Sequence, residues 1–312
     1  MYDPKLARLL AEASQNAYLA EAPFKVWAHA AGYPEVEPFV EGDTQAYGCA
    51  NETHCFIVFR GTEPDNLKDW ATDSELQWQP QTDGSKAHRG FAKAFQSIQA
   101  QFKDWHQQTA AKPFALTGHS LGAALALLAA NAWAHRNPQL YTFGQPRVGD
   151  QAFTQSVLAK LGANYHRFVH HRDIVARVPL FGVGFRHCGH HWYIKDGNAA
   201  LVASQIEDEQ EAIKSILGRS FEVPEILLPY LQEVFQRLEE SFNPELVAGV
   251  PGLLLQIENK LPFLLKIPAK PLFMRFQDIL QQFSNQQGGG RSLSDPVRDH
   301  SPIHYVSAFP PL

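Results

Sequence analysis

The sequence has 312 residues, of which 45% are hydrophobic and 19% charged, and its formal net charge at pH 7 is −5. This is an ordinary globular composition with enough apolar mass for a large core. The acidic balance argues against a nucleic-acid partner, which needs a basic face. Three cysteines are too few for a disulfide framework. Cys49 and Cys55 can face each other across a predicted hairpin, but buried thiols are the preferred interpretation.

The N-terminal stretch MYDPKLARLLAEASQNAY predicts an amphipathic helix. It has neither the apolar core nor the small-residue cleavage site of a signal peptide, so we expect a cytoplasmic protein. No segment reaches the roughly 18 uninterrupted apolar residues of a membrane span. The apolar stretch LVAGVPGLLLQIENKLPFLLKI is interrupted by prolines and charges, and it favours peripheral contact with a membrane or lipid-droplet surface.

Strand and helix patterns alternate from about residue 44 to residue 197. TQAYGC and CFIVFRGT flank ANETH as a hairpin, and HRGFAKAFQSIQAQFKDWHQQ has a helical period. Then come a strand in KPFALTG, a helix, a strand in QLYTFGQPRVG, a helix in DQAFTQSVLAKLG, and strands in NYHRFVHHRDIVARVP and GHHWYIKDG. Apolar strands separated by helices predict an α/β fold, with a mainly parallel central sheet and helices on both faces.

Residues 200–294 have a different pattern, because they are helical or proline-punctuated and contain no clear strand. We interpret them as a helical insertion within a single domain of residues 1–312. The segment VPEILLPYLQEVFQRLEE predicts an amphipathic helix that packs on the main domain. A cap over the active site and an interfacial anchor are the alternative roles.

The segment ALTGHSLGAALALLAAN places Ser120 between Gly118 and Gly122, at the entrance to an alanine- and leucine-rich helix. A serine in this place can be a simple helix cap. An apolar strand before it, a helix directly after it and small neighbours are also what a nucleophile elbow requires. In that geometry the amide of Leu121 points to where an oxyanion forms. We therefore predict that Ser120 is a nucleophile.

A serine hydroxyl needs a base, and the base needs a carboxylate to hold it. In this fold the chain order is serine, then an acid, then histidine. Asp173 follows an apolar strand and is the predicted acid. The base should lie after the last strand, which leaves His300 and His304. We prefer His300, because it follows an acid where the chain resumes apolar character.

A second group of histidines surrounds the last predicted strand, with His187, His190 and His191 in a His-x-x-His-His pattern. Such a pattern can indicate zinc. Cys188 is the only further ligand type nearby. We therefore expect no metal, and ester hydrolysis by a serine requires no other cofactor.

Six motifs, VFRGT, HRGF, TGHSLGAALA, YTFGQPRVGD, HRDIVARVP and DHSPIHY, occur in the order found in class 3 lipases, the fungal-lipase-like α/β hydrolases. The chain resembles this family over about residues 44–197 and again from near residue 295. The resemblance implies Ser120 as nucleophile, Asp173 as acid and His300 as base. It also implies that Thr62 completes an oxyanion hole with the Leu121 amide, and that residues 63–80 form a lid.

The resemblance implies a triacylglycerol lipase-like serine hydrolase that cleaves carboxylic esters of lipids through an acyl-enzyme. The long segment between Asp173 and His300 departs from the family, which affects the acyl-binding cleft rather than the triad. Phospholipase A1 or galactolipase, short-chain carboxylesterase and acyl transfer to an alcohol are the alternatives with the same residues. A membrane-associated binding protein that keeps the fold without the chemistry is the non-enzyme alternative. The sequence predicts no oligomeric state.

Overall fold

The computed structural model describes residues 2–61, 77–170, 173, 175–177, 185–195, 198–201 and 300–311. Of the predicted lid at residues 63–80, residues 63–76 lie outside the described part. Of the predicted insertion at residues 200–294, residues 202–294 lie outside it as well. The chain divides into two units, Met1–Ala203 with Ser292–Leu312, and Ser204–Arg291. Every described residue belongs to the first unit.

The described residues contain seven α-helices and ten β-strands. The helices are α1 (Pro4–Asn16), α2 (Glu21–Ala30), α3 (Arg89–Gln99), α4 (Lys103–Gln108), α5 (Leu121–Ala132), α6 (Gln151–Leu161) and α7 (Pro302–Val306). The strands are β1 (Glu35–Glu41), β2 (Thr44–Ala50), β3 (Cys55–Phe59), β4 (Trp78–Pro80), β5 (Lys86–His88), β6 (Phe114–His119), β7 (Gln139–Phe143), β8 (Tyr165–His170), β9 (His190–Lys195) and β10 (Asn198–Leu201). Among the helices described, none combines the length and apolarity needed to cross a membrane.

Eight of the described strands form one sheet in the order β1-β2-β3-β6-β7-β8-β9-β10. The five central strands, from β3 to β9, run parallel, whereas β1, β2 and β10 pair antiparallel with their neighbours. Parallel strands need covering on both faces. This architecture confirms the predicted α/β fold with a mainly parallel sheet.

Two hydrophobic clusters cover the two faces of this sheet, as alternation along the strands requires. One contains residues of α3, α5 and α6, including Phe91, Leu125 and Val157. The other contains residues of α1, α2 and α7, including Leu10, Phe24 and Tyr305. The helix α5 is buried almost throughout, which explains why its sequence is nearly all alanine and leucine. Helices therefore pack on both faces, as predicted.

The first and last described helices lie against each other. Arg8 on α1 donates from Nη1 to the carbonyl oxygens of Val306 and Phe309, each at 2.8 Å. Its Nε also donates to Glu12 at 2.5 Å, which holds the guanidinium in place. A cation at the carbonyl end of a helix is favourable, because those carbonyls carry partial negative charge. The start of the chain therefore fixes the end of α7.

The predicted elements between residues 44 and 195 are present, and so is the predicted N-terminal helix, but six elements were not predicted. These are α2, α7, β1, β4, β5 and β10. The strand β1 carries three glutamates and a proline, and only Phe39 along it is buried. An edge strand of this kind lacks the apolar alternation by which strands are recognised.

The three cysteines, Cys49, Cys55 and Cys188, are all free and buried, which confirms the prediction of buried thiols. In the β2–β3 hairpin, Cys49 pairs with Phe56, whereas Cys55 pairs with Ala50. Residues directly opposite share a face and neighbouring residues face opposite sides. Cys49 and Cys55 therefore belong to the clusters on opposite faces of the sheet.

Candidate active site

Ser120 lies in the sharp turn that joins β6 to α5. Its φ is 60° and its ψ is −129°, a conformation that non-glycine residues rarely adopt. A Cβ on Gly122 would lie 2.1 Å from the Phe59 carbonyl oxygen, and one on Gly118 would lie 2.3 Å from Gly122. Only glycine fits at either position, so the strained turn can approach the neighbouring strand. The backbone conformation is that of the predicted nucleophile elbow.

The Ser120 side chain does not cap the helix that follows it, although its position first allowed that interpretation. It is fully buried, and within the described part of the chain its Oγ atom has no hydrogen-bond partner. A buried hydroxyl without a hydrogen-bond partner lowers the stability of the fold, and a catalytic role is one explanation for such a group. Leu121 is the first residue of α5, so its amide belongs to the helix N-terminal donors that have no partner within the helix.

His300 and Asp173 form a buried pair. The Nδ1 atom of His300 lies 2.9 Å from Oδ1 and 2.8 Å from Oδ2 of Asp173. Because a carboxylate only accepts, Nδ1 carries the hydrogen, and in the neutral ring Nε2 then has a free lone pair. This Nε2 atom is buried and has no hydrogen-bond partner among the described residues. The histidine is therefore in the tautomer that a general base requires.

The Asp–His pair lies close to the serine turn. The Ser120 amide donates to the Phe143 carbonyl at 3.0 Å, and a Cβ on the next residue, Gly144, would lie 3.0 Å from the His300 ring. Oγ of Ser120 and Nε2 of His300 do not hydrogen-bond each other, since both lack a partner. Such contacts are often long in ligand-free hydrolases and shorten when substrate binds.

Asp173 accepts several further hydrogen bonds. The Tyr305 hydroxyl donates to Oδ2, and the Val175 amide donates to Oδ1 at 2.8 Å. Burial alone would raise the pKa of Asp173, but the His300 charge and the hydrogen bonds from His300 and Tyr305 outweigh it. They lower the pKa of Asp173 to about 2. The carboxylate is therefore ionised at neutral pH.

Another histidine, His119, lies between Tyr18 and the main chain of His300. Its Nδ1 atom is 2.8 Å from the Tyr18 hydroxyl, and its Nε2 atom is 2.6 Å from the His300 carbonyl oxygen. The rings of His119 and His300 lie 4.4 Å apart between centroids. His119 is almost fully buried, so these contacts are shielded from water.

The other two predicted site residues, His304 and Thr62, are not part of the buried pair that the described residues show. His304, the alternative base, stacks on His170 with 4.8 Å between ring centroids. The structure thus brings the preferred His300, and not His304, to the acid. Thr62, the expected oxyanion residue, lies outside the described residues.

The histidines around β9 are separate from this site. His187 donates from Nε2 to the Ala176 carbonyl at 2.6 Å. Within the described ranges, no group of three or more histidine, cysteine, aspartate or glutamate side chains is arranged to hold a metal ion.

Sequence reasoning missed the contacts of Tyr305 and Tyr18. Tyr305 lies within the motif DHSPIHY, five residues after His300. A polar residue in the first turn of helix after the base is the signal that could have predicted its contact with Asp173. Tyr18 gives no local signal, because its partner His119 is 101 residues away.

A serine elbow at the carboxyl end of a central parallel strand, with an acid and a histidine supplied by later segments, defines the α/β-hydrolase fold. Residues 56–183 match the family model for class 3 lipases. This segment therefore belongs to the class 3 lipase family, as its motifs predict.

Known proteins share this segment and this fold. A lipase from Rhizomucor miehei is 36% identical over 165 residues, which cover 49% of this chain and 45% of that protein. Lipase II from Rhizopus niveus has a TM-score of 0.56 at 28% identity, covering 64% of this chain and 84% of that one. A triacylglycerol lipase whose catalytic centre is formed by a serine protease triad has a TM-score of 0.53 at 29% identity, covering 62% of this chain and 80% of that one. The chain spans about half the length of the curated relatives it matches.

Proposed function

We propose that this protein is a serine hydrolase that cleaves carboxylic esters of lipids through an acyl-enzyme. Ser120 is the nucleophile, His300 the general base and Asp173 the acid that orients it. One observation carries the proposal: the ionised, buried Asp173 holds Nδ1–H of His300 and leaves a free Nε2 beside a strained serine turn. A serine that only capped a helix would need none of these partners.

The reaction follows from the proton positions. The Ser120 oxygen attacks the ester carbonyl carbon while its proton passes to Nε2 of His300. Asp173 stabilises the imidazolium that forms, and the Leu121 amide donates to the oxyanion, with Thr62 as the second donor that the resemblance implies. His300 then protonates the departing alcohol. Water attacks the acyl-enzyme, gives its proton to His300, and releases the fatty acid with Ser120 restored.

A lipid ester is the favoured substrate class. The relatives described above are lipases, one of them a triacylglycerol lipase. The interrupted apolar stretch LVAGVPGLLLQIENKLPFLLKI supports peripheral contact with a lipid surface.

The central test compares the wild-type protein with Ser120→Ala on p-nitrophenyl acyl esters. The variant should lose about 10⁴-fold or more in kcat, because triad members act as a unit. A fluorophosphonate should label the wild-type protein at Ser120 and leave the variant unlabelled. Undiminished hydrolysis by Ser120→Ala would overturn the proposal, and so would a failure to label the wild-type protein.

A second experiment separates the lipid substrates. Initial rates on triolein, phosphatidylcholine, a galactolipid and a short-chain ester identify which ester the cleft prefers. With a sparingly soluble ester, the rate should rise when its concentration passes the solubility limit. A smooth hyperbola through that limit would instead indicate a plain carboxylesterase.

A further inference from the structure

The proposed mechanism leaves one buried titratable group of the site without a role. His119 precedes the nucleophile, yet the contacts of its ring run to Tyr18 and to the main chain of His300 rather than to Ser120. Its two nitrogen atoms thus connect Tyr18, just beyond the end of α1, to His300, which supplies the base.

The direction of both hydrogen bonds follows from elementary valence. The His300 carbonyl oxygen can only accept, so Nε2 of His119 must donate to it. Burial, and then the neighbouring His300 charge, lower the pKa of His119 well below its usual value, with Asp173 acting in the opposite sense. A neutral ring that carries its hydrogen on Nε2 has a lone pair on Nδ1. Tyr18 must therefore donate its hydroxyl hydrogen to Nδ1 of His119.

We propose that His119, set in its Nε2–H tautomer by the His300 carbonyl and held in place by Tyr18, is a positioning residue that fixes the main chain of His300. This inference rests on the proposed function for its catalytic meaning. The hydrogen-bond chain runs from the Tyr18 hydroxyl to Nδ1 of His119, and from Nε2–H of His119 to the His300 carbonyl. If His119 took the other tautomer, its lone pair would face the carbonyl oxygen and repel it.

The position of the His300 main chain matters, because Asp173 fixes only the imidazole ring of His300, at Nδ1. The carboxylate holds Nδ1 of His300, so the ring can still shift if its backbone moves. A displacement of about 1 Å at a reacting group can cost about 100-fold in rate. The bond from His119 fixes the other end of the residue at its carbonyl. Together the two contacts determine where Nε2 of His300 lies relative to Ser120.

His119 must also remain uncharged to serve this purpose. The titratable groups that face it are Tyr18, His300 and Asp173, with the Tyr305 ring 5.6 Å away. A charge on His119 would oppose the imidazolium that forms on His300 during the reaction. Burial is the main factor that disfavours this charge and lowers the pKa of His119.

The Tyr18 hydroxyl packs closely against the backbone of Gly61. A Cβ on Gly61 would lie 2.1 Å from the Tyr18 oxygen and 2.6 Å from the His119 carbonyl oxygen. The absence of a side chain at Gly61 therefore leaves the room in which the tyrosine reaches the histidine. This close approach involves three separate segments of the chain, so it is a feature of the assembled fold.

The tautomer is tested directly by ¹⁵N-histidine NMR of the wild-type protein and Tyr18→Phe. We expect His119 in a single neutral Nε2–H form from pH 6 to pH 8 in both proteins, with the Nδ1 signal shifted in the variant by the loss of the Tyr18 hydrogen bond. A protonated or Nδ1–H form of His119 in the wild-type protein would overturn the inference. This measurement does not depend on any activity, so its outcome is distinct from a failure of the proposed function.

The kinetic test uses a soluble p-nitrophenyl ester and three variants. Tyr18→Phe should lower kcat about 10-fold and His119→Leu about 100-fold, with KM changed by less than about twofold, because only the base is displaced. His119→Gln should recover most of the activity, since its amide can donate to the carbonyl and accept from the tyrosine.

The matched control is Tyr33→Phe, which removes the same hydroxyl group from a tyrosine that packs edge-on against Phe56 on the same face of the sheet. It should retain wild-type kcat. Thermal melts of all variants identify any that fail to fold. Wild-type kcat in a folded His119→Leu variant would overturn the inference, as would a Tyr33→Phe loss equal to that of Tyr18→Phe.

Discussion

The Nδ1 atom of His300 lies 2.8 Å from Oδ2 of Asp173, although 127 positions separate the two residues in the sequence. They meet because Asp173 follows the carboxyl end of β8, and because α7, which begins just after His300, packs on the same face of the sheet as α1. The geometry of the base therefore depends on how α7 is held. The first predictions concern this dependence.

Replacing Tyr305 with phenylalanine should weaken the acid–base pair. The hydroxyl donates to Asp173 and accepts from the His170 amide at 3.1 Å, so its loss removes one hydrogen bond from the carboxylate and one from a partly buried amide. A hydrogen bond to a charged group contributes about 1.5–3 kcal/mol. We expect kcat/KM to fall about 10-fold and the unfolding free energy to fall by about 1–2 kcal/mol. Ester hydrolysis and urea unfolding measure the two effects, and unchanged values for both would contradict the prediction.

The two candidate bases can be separated by substitution. His300→Ala should lower kcat about 10⁴-fold, because it removes the proton acceptor. His304→Ala should stay within about threefold, since it removes only a ring stacked on His170. Hydrolysis of a p-nitrophenyl ester at one pH compares them. Equal losses in the two variants would contradict the assignment of His300.

Adding one methyl group at Gly144 should disrupt the pair directly. Gly144 has φ of 58°, and a Cβ there would lie 2.7 Å from Oδ2 of Asp173 and 3.0 Å from the His300 ring. Gly162 is a matched control, because its φ is 50° but nothing lies within 4 Å of an added Cβ. Both alanine variants should lose about 1 kcal/mol of stability from backbone strain.

The outcome that matters is the difference between these two variants. Gly144→Ala should lose at least about 100-fold in kcat, whereas Gly162→Ala should keep wild-type kcat. Chemical unfolding measures the loss of unfolding free energy that backbone strain causes in each of the two variants. Activity in Gly144→Ala equal to that of Gly162→Ala would show that the Asp–His pair tolerates the displacement.

Stability should decrease on mild acidification. Burial lowers the pKa of His88, His106 and His166 to about 4 each, below the unfolded value of 6.5. The unfolded state therefore binds more protons between pH 6.5 and pH 4, and the unfolding free energy falls as the pH falls through that window. Each group contributes at most about 1.4 kcal/mol per pH unit. Urea unfolding at several pH values measures the slope, and His166→Gln should reduce it; a flat profile would contradict the prediction.

The sequence was most informative where the required residues are close together. The elbow could be predicted because a strand, a serine between glycines and a helix follow one another within twenty residues or so, and each has its own pattern. Asp173 followed from chain order. Their roles as catalytic residues stay predictions until the variants above are measured.

Other parts of the site have no local pattern. The bond between Tyr18 and His119 joins segments 101 residues apart, and only the packed sheet brings them together. The same holds for Tyr305 and Asp173, which are 132 residues apart. The edge strands were missed for another reason: β1 is mostly exposed, so its residues are selected for solubility rather than for an apolar face.

The contact between Arg8 and the carbonyls of Val306 and Phe309 has a consequence for biosynthesis. It joins positions 298 and 301 residues apart, so the ribosome must add that many residues after Arg8 before α1 can meet α7. At about 5–20 residues per second, that delay is roughly 15–60 s. Throughout it, His300 has yet to reach Asp173. Under the proposed mechanism, the nascent chain therefore lacks its general base until α7 has been synthesised and has packed against α1.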